Sequence, residues 1–153
     1  MAKLLFVCHV PSPNTAGLRD AAIGAINELD LADLETRVRA PLDASACDID
    51  WCDGVLLGTT ENFGYMAGLT KDFFERIYYP CLESSQGLPF ALYIRAGEDG
   101  RGTRDGVSRI VTGLRWKPVA EPLILLGDYD PAFEGRVGEL AQTIAAGLDA
   151  GIY

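Results

Sequence analysis

Three short segments concentrate the residues able to do chemistry. The first, His9-Val10-Pro11-Ser12-Pro13-Asn14-Thr15, runs straight into a stretch of helical period. Hydroxyls and an amide at a helix N-terminus, beside main-chain N–H groups with no partner inside the helix, make an anion cradle. The segment holds no lysine or arginine, so dipoles and hydrogen bonds alone would neutralise a bound phosphate. The same residue types also serve as plain helix caps, with Asn14 or Thr15 in that role. The GK[ST] ending of a nucleotide-triphosphate loop is absent, which speaks against that enzyme class. The second segment, Gly58 to Leu69 (GTTENFGYMAGL), has small residues, the aromatic faces of Phe63 and Tyr65, and polar groups between them. A planar heteroaromatic ring needs those three provisions, although core or subunit packing would use the two aromatics equally well. The third segment, Ala96 to Thr103 (AGEDGRGT), is glycine-rich and suits either wrapping a ring edge or a simple turn.

Metal and thiol chemistry find little support. The four cysteines, Cys8, Cys47, Cys52 and Cys81, form no CxxC pair, and His9 is the only histidine. A zinc site is disfavoured, and the pattern fits reduced thiols in a cytoplasmic protein. His9, at the end of an apolar run, is placed either to help hold a phosphate or move a proton, or to hydrogen-bond locally. Trp51 and Trp116 lie outside all three segments and read as packing residues.

The elements that must position these segments emerge from the hydropathy pattern. The 153 residues are 48% hydrophobic and 23% charged, the composition of a folded domain of common size. One domain over residues 1–153 is expected. Acidic residues outnumber basic ones 22 to 13, for a formal charge of −9, which argues against nucleic acid or an anionic membrane as partner. No apolar run approaches the length of a bilayer span, and the short run at 3–8, followed by Pro11-Ser12-Pro13-Asn14, suits a buried first strand better than a leader. Continuous apolar runs at 3–8, 54–58 and 90–95 predict strands covered on both faces. A polar alternating run at 35–39 predicts an edge strand, and 119–126, interrupted by Pro122, predicts another edge or a bulge. Helical stripes fall at 15–29, 67–79, 104–116 and from Val137 to Leu148. Strands alternating with helices throughout predict an α/β fold: a three-layer sandwich with a five-stranded parallel sheet in the order 2-1-3-4-5. Ligands of such sheets bind beyond the carboxyl ends of the strands, where the strand order reverses, and all three segments fall at strand ends.

The order FVCHVPSPNTAGLRDAA, DGVLLGTTENFGYMAGLTKDFFER, ALYIRAGEDG resembles the flavodoxin-like superfamily, and the middle stretch is most similar to its NAD(P)H-dependent FMN and quinone reductases. The resemblance implies a five-stranded flavodoxin-like sandwich that binds FMN and takes electrons from NAD(P)H or exchanges them with a redox partner protein, often as a homodimer. It places the first loop, from His9 and Val10 through Ser12, Asn14 and Thr15, at the flavin phosphate. It places Thr59, Thr60, Glu61, Asn62, Phe63 and Gly64 along the ribityl chain and ring, and Ala96, Gly97, Glu98 and Gly102 at the pyrimidine edge. The chain departs from the family wording at Val10, where a hydroxyl residue is usual, and at Pro13, where glycine is usual. Each change removes a hydrogen-bond donor from the phosphate loop, which keeps open a flavodoxin-like binding module that has lost FMN beside the reductase and the electron carrier. Glu61 stands where a neutral or basic residue is usual, and a carboxylate beside a flavin is expected to lower its second reduction potential. The VC strand end also resembles the low-molecular-weight tyrosine phosphatases, but their loop needs an arginine six positions after the cysteine, and Asn14 stands there.

Overall fold

The computed structural model covers residues 1–153. Its first strand, β1 (Ala2–Cys8), shows why the sheet is buried on both sides. Leu4, Phe6 and Cys8 point into one core with Leu18, Ala22 and Val137, while Leu5 and Val7 point into a second with Phe73, Phe74 and Val107. With side chains alternating along a strand, a continuous apolar run is what two such cores demand.

The chain continues through α1 (Pro13–Glu28), β2 (Leu34–Arg39), α2 (Ala46–Trp51) and β3 (Gly54–Asn62). It then forms β4 (Tyr65–Met66), α3 (Gly68–Cys81), β5 (Pro89–Ala96) and α4 (Arg101–Gly113), and ends in β6 (Lys117–Pro118), β7 (Leu123–Leu126) and α5 (Ala132–Asp149). The sheet order is β2-β1-β3-β5, with β6 and β7 both pairing in parallel with the far side of β5. β1 pairs on one side with β2 and on the other with β3, so the order reverses between β1 and β3. The α1 and α5 residues pack on one face of the sheet and those of α2, α3 and α4 on the other. No helix is long and apolar enough to cross a membrane.

The three-layer sandwich and the parallel order agree with the sequence, with four differences of detail. The fifth strand is broken into β6 and β7 around Pro122, which has no N–H for the ladder, although the Val119 N–H still donates to Phe90 O at 2.9 Å. The helix α2 is additional. It is six residues long and begins with a capping box in which the Asp48 carboxylate accepts the Ser45 N–H at 3.0 Å. The third strand runs four residues past the expected end, and its tip folds back as a hairpin with β4. Finally α4 begins at Arg101 rather than 104, because Gly100, at φ 70°, closes the preceding loop early.

Candidate functional site

The carboxyl ends of β1, β3 and β5 lie side by side, with Cys8 opposite Gly58 and Thr60 opposite Arg95. The loops that follow them form one rim. In the first loop, Ser12 caps α1, the role expected of Asn14 or Thr15. Its Oγ accepts the Thr15 N–H at 3.2 Å, its own N–H donates to Thr15 Oγ1 at 3.0 Å, and the two hydroxyls stand 3.0 Å apart. This reciprocal arrangement satisfies two orphan donors of the helix start. Neither Val10 nor Asn14 has a protein partner for its N–H, and Pro11 and Pro13 have none to offer. The His9 N–H donates to Gly58 O at 2.9 Å. Burial lowers the pKa of its imidazole below the ordinary value, so the ring is neutral at pH 7.

Beneath this loop lies a contact that sequence reasoning missed. Tyr93 leans across Gly58, its register partner, to bring its hydroxyl 3.1 Å from Cys8 Sγ. A Cβ at Gly58 would overlap the Tyr93 ring and hydroxyl, so glycine is required there for side-chain passage rather than for a turn. Burial pushes the Cys8 thiol up to about 11 and raises the Tyr93 phenol well above its ordinary value. Cys8 is therefore a protonated core residue. Thiolate nucleophilic chemistry, which needs a depressed pKa, is not served here.

In the second segment, Thr59 and Thr60 belong to β3 and are buried. The Thr59 hydroxyl is held by that of Thr70 on α3 at 2.8 Å, and the Thr60 hydroxyl donates to Asn62 Oδ1. Asn62 then pairs with Tyr65 across a two-residue turn. Both turn residues, Phe63 at φ 53° and Gly64 at φ 74°, are left-handed, the geometry that matches the twist of a tight hairpin. The turn holds the Phe63 ring wholly in solvent. Gly64 packs its carbonyl so closely on Gly102 that a Cβ there would overlap it, and the Tyr65 ring lies on Gly106 in the same way. Gly102 thus sits in α4 under the hairpin, where its bareness lets the two backbones meet, and it reaches the rim only through that contact.

The third loop is tied to the second by Glu61. Its two carboxylate oxygens accept the Glu98 N–H at 3.3 Å and the Gly100 N–H at 2.8 Å. Gly97 between strand and tether is exposed, with open space where a side chain would stand. Ala96 is buried at the strand end, and Glu98 is exposed. Of the residues singled out by sequence, then, His9, Val10, Ser12, Asn14, Glu61, Asn62, Phe63, Gly64, Gly97 and Glu98 lie at the rim. Thr15, Thr59, Thr60, Ala96 and Gly102 shape it from beneath or beside. Glu61 as a clamp could have been suspected only from its opposition to a glycine-rich loop.

An open α/β sheet with its ligand rim at the strand-order reversal defines a class of doubly wound domains. Within that class the chain has the flavodoxin-like fold. An archaeal flavodoxin superposes with a TM-score of 0.79 at 14% identity, over 95% of this chain and 98% of that one. Flavodoxin 1 of Bacillus cereus gives a TM-score of 0.74 at 17% identity, over 95% and 98% of the two chains. A flavodoxin described as WrbA-like, from Agrobacterium tumefaciens, gives 0.73 at 13% identity, over 99% and 97%. No protein-family model and no curated protein sequence matches the chain.

Proposed function

We propose that the chain holds a flavin, expected as FMN, on the rim formed by residues 9–15, 61–64 and 96–98, and that it carries electrons from NAD(P)H to a quinone, a second flavin or a similar acceptor. The observation that supports this reading is that the loops after β1, β3 and β5 form one rim beside the strand-order reversal, where Glu61 ties the Phe63 hairpin to the Gly97 loop. The residues present fit the ring of such a group. Phe63 offers an aromatic face, Gly64 and Gly97 leave room for main chain to approach it, and the Gly97 N–H has no protein partner. Val10 and Asn14 offer the remaining free N–H groups, at the phosphate end. When bound, the flavin supplies the redox chemistry and the protein its orientation and electrostatics.

The roles of this chain's own residues follow from position. The Phe63–Gly64 turn, braced on Gly102, fixes the height of the aromatic wall. Glu61 keeps the third loop against the second and adds a negative charge at the rim, so Glu61→Gln is expected to raise the second reduction potential. A second copy of the chain laid over the exposed Phe63, Tyr65 and Leu69 would cover the ring and exclude water. A simple electron carrier, exchanging electrons with a partner protein, is the second reading. The full exposure of Phe63 favours it, because such a tip suits transient docking.

An absorbance spectrum taken after adding FMN and dialysing tests the cofactor, with flavin bands near stoichiometric occupancy expected. Bleaching of those bands by NADPH alone supports the reductase, and bands that bleach only with dithionite support the carrier. Absence of flavin bands together with unquenched flavin fluorescence on titration rejects both.

A further inference from the structure

The phosphate end of the rim is less well provided than the ring end, and the difference can be counted. Residues 9–15 contain five main-chain N–H groups, because Pro11 and Pro13 have none. That of His9 is given to Gly58 O, that of Ser12 to Thr15 Oγ1 and that of Thr15 to Ser12 Oγ. Two remain, on Val10 and Asn14. The Ser12 and Thr15 hydroxyls face each other, and Thr15 Oγ1 also donates to Ser12 O at 2.9 Å. A phosphate dianion presents three terminal oxygens with several acceptor positions each, so two N–H groups and the Asn14 amide leave most of its hydration unreplaced. The cap holds the two hydroxyls by their oxygens, so a hydroxyl proton reaches a ligand only by giving up the Ser12–Thr15 contact or the bond to Ser12 O.

Charge does not make up the shortfall. His9 is neutral for the reason given above. The cation nearest in sequence, Arg19, is engaged with Asp20 at 3.0 Å, and the chain as a whole carries −9. A neutral hydroxymethyl group at the same place loses little on leaving water and needs only one or two partners. Nothing at the Phe63, Gly64 and Gly97 side of the rim distinguishes the two ligands, since they share the ring.

We infer that this site takes a flavin by its ring and does not select for the phosphate, so that riboflavin and FMN are equivalent, exchangeable ligands. The inference rests on the flavin reading above and specifies which flavins satisfy it. Pro13, the Ser12–Thr15 cap and the lack of a basic side chain are the specificity-determining features.

Equilibrium titration tests this by quenching of flavin fluorescence, with FMN, riboflavin and lumiflavin at low and high salt. The expected result is dissociation constants for FMN and riboflavin within about tenfold of each other, nearly independent of salt, and unaffected by millimolar inorganic phosphate. FMN binding more than about tenfold tighter than riboflavin, or competition by phosphate, would overturn the inference while leaving the flavin reading intact. Binding of none of the three overturns the flavin reading itself and the inference with it. The variant Pro13→Gly restores one N–H donor. It is expected to tighten FMN by roughly one to two decades, the worth of one bond to a charged group, and to leave riboflavin unchanged. An equal effect on both ligands would also overturn the assignment.

Discussion

Replacing Glu61 by glutamine probes the tether between the second and third loops without changing side-chain size. The carboxylate accepts two N–H groups, from Gly100 at 2.8 Å and Glu98 at 3.3 Å. Glutamine keeps one acceptor oxygen, which suits the shorter bond, and presents its NH₂ to the other N–H, where donor faces donor. The Gly100 bond changes from charge-assisted to neutral, a loss of about 1–1.5 kcal/mol, and the longer Glu98 bond is lost outright at about 0.5 kcal/mol. The sum, about 2 kcal/mol, corresponds to roughly a 30-fold shift in a local opening equilibrium. Amide hydrogen exchange followed by NMR reads this directly, because such opening is subglobal. The Gly100 and Glu98 amides should lose roughly 30-fold in protection, while those of Phe6 and Leu56 in the central strands keep theirs. Gly100 protection within threefold of the parent protein would refute the clamp and leave the short distance without energetic meaning.

Other consequences can be checked in the same protein. Gly102→Ala sets a methyl against Gly64 O and should cost about 1–3 kcal/mol by urea unfolding, as overpacking does; an unchanged midpoint would show that the hairpin is not braced on α4. Gly58→Ala displaces the Tyr93 ring and should cost a similar amount, with a changed near-ultraviolet tyrosine signal as its signature. At pH 8 a thiol reagent should titrate one cysteine rapidly, the exposed Cys47. Burial pushes Cys8 and Cys81 up to about 11 and Cys52 up to about 12, so the other three should react only on denaturation. Those raised values, with that of Tyr93, mean that the unfolded chain ionises before the folded one. Their contribution to stability is fully present below pH 9 and is lost as pH rises towards 11–12, so the melting temperature should fall over that window, and a flat profile would contradict the burial.

The sandwich was legible because its signals are long. The runs at 3–8, 54–58 and 90–95 had to be strands buried on two faces, and the stripes through Leu18 to Ile26 and Val137 to Ile144 had to pack against them. Shorter features escaped. α2 has only six residues, too few for a helical period, and its one signal was the Ser45 to Asp48 capping box. The hairpin turn carries Phe63 at positive φ, a conformation that a sequence assigns to glycine or asparagine before phenylalanine. The rim could be located, since each loop follows a strand end, but side-chain partners could not. Glu61 reads as a ligand-facing charge in sequence, and it faces the Glu98 and Gly100 amides. Thr59 reads as a donor, and it is spent on Thr70. Such pairings join residues 11 to 39 positions apart, and no local pattern encodes them.

The divided fifth strand has a consequence for the chain in crowded solution. A parallel sheet ends in two open ladders, each a template on which another extended chain could add. On one border, β2 alternates Glu35, Arg37 and Arg39 along its length, with Asp48 held by both arginines, so an incoming strand would have to desolvate a row of charge. On the other, Pro118 and Pro122 remove two donors and the gap between β6 and β7 breaks the ladder's repeat. Neither border offers an uninterrupted template. Both borders are therefore poor templates for strand addition, and a Pro122→Val substitution, which returns one N–H donor beside β7, should raise the aggregation rate followed by light scattering.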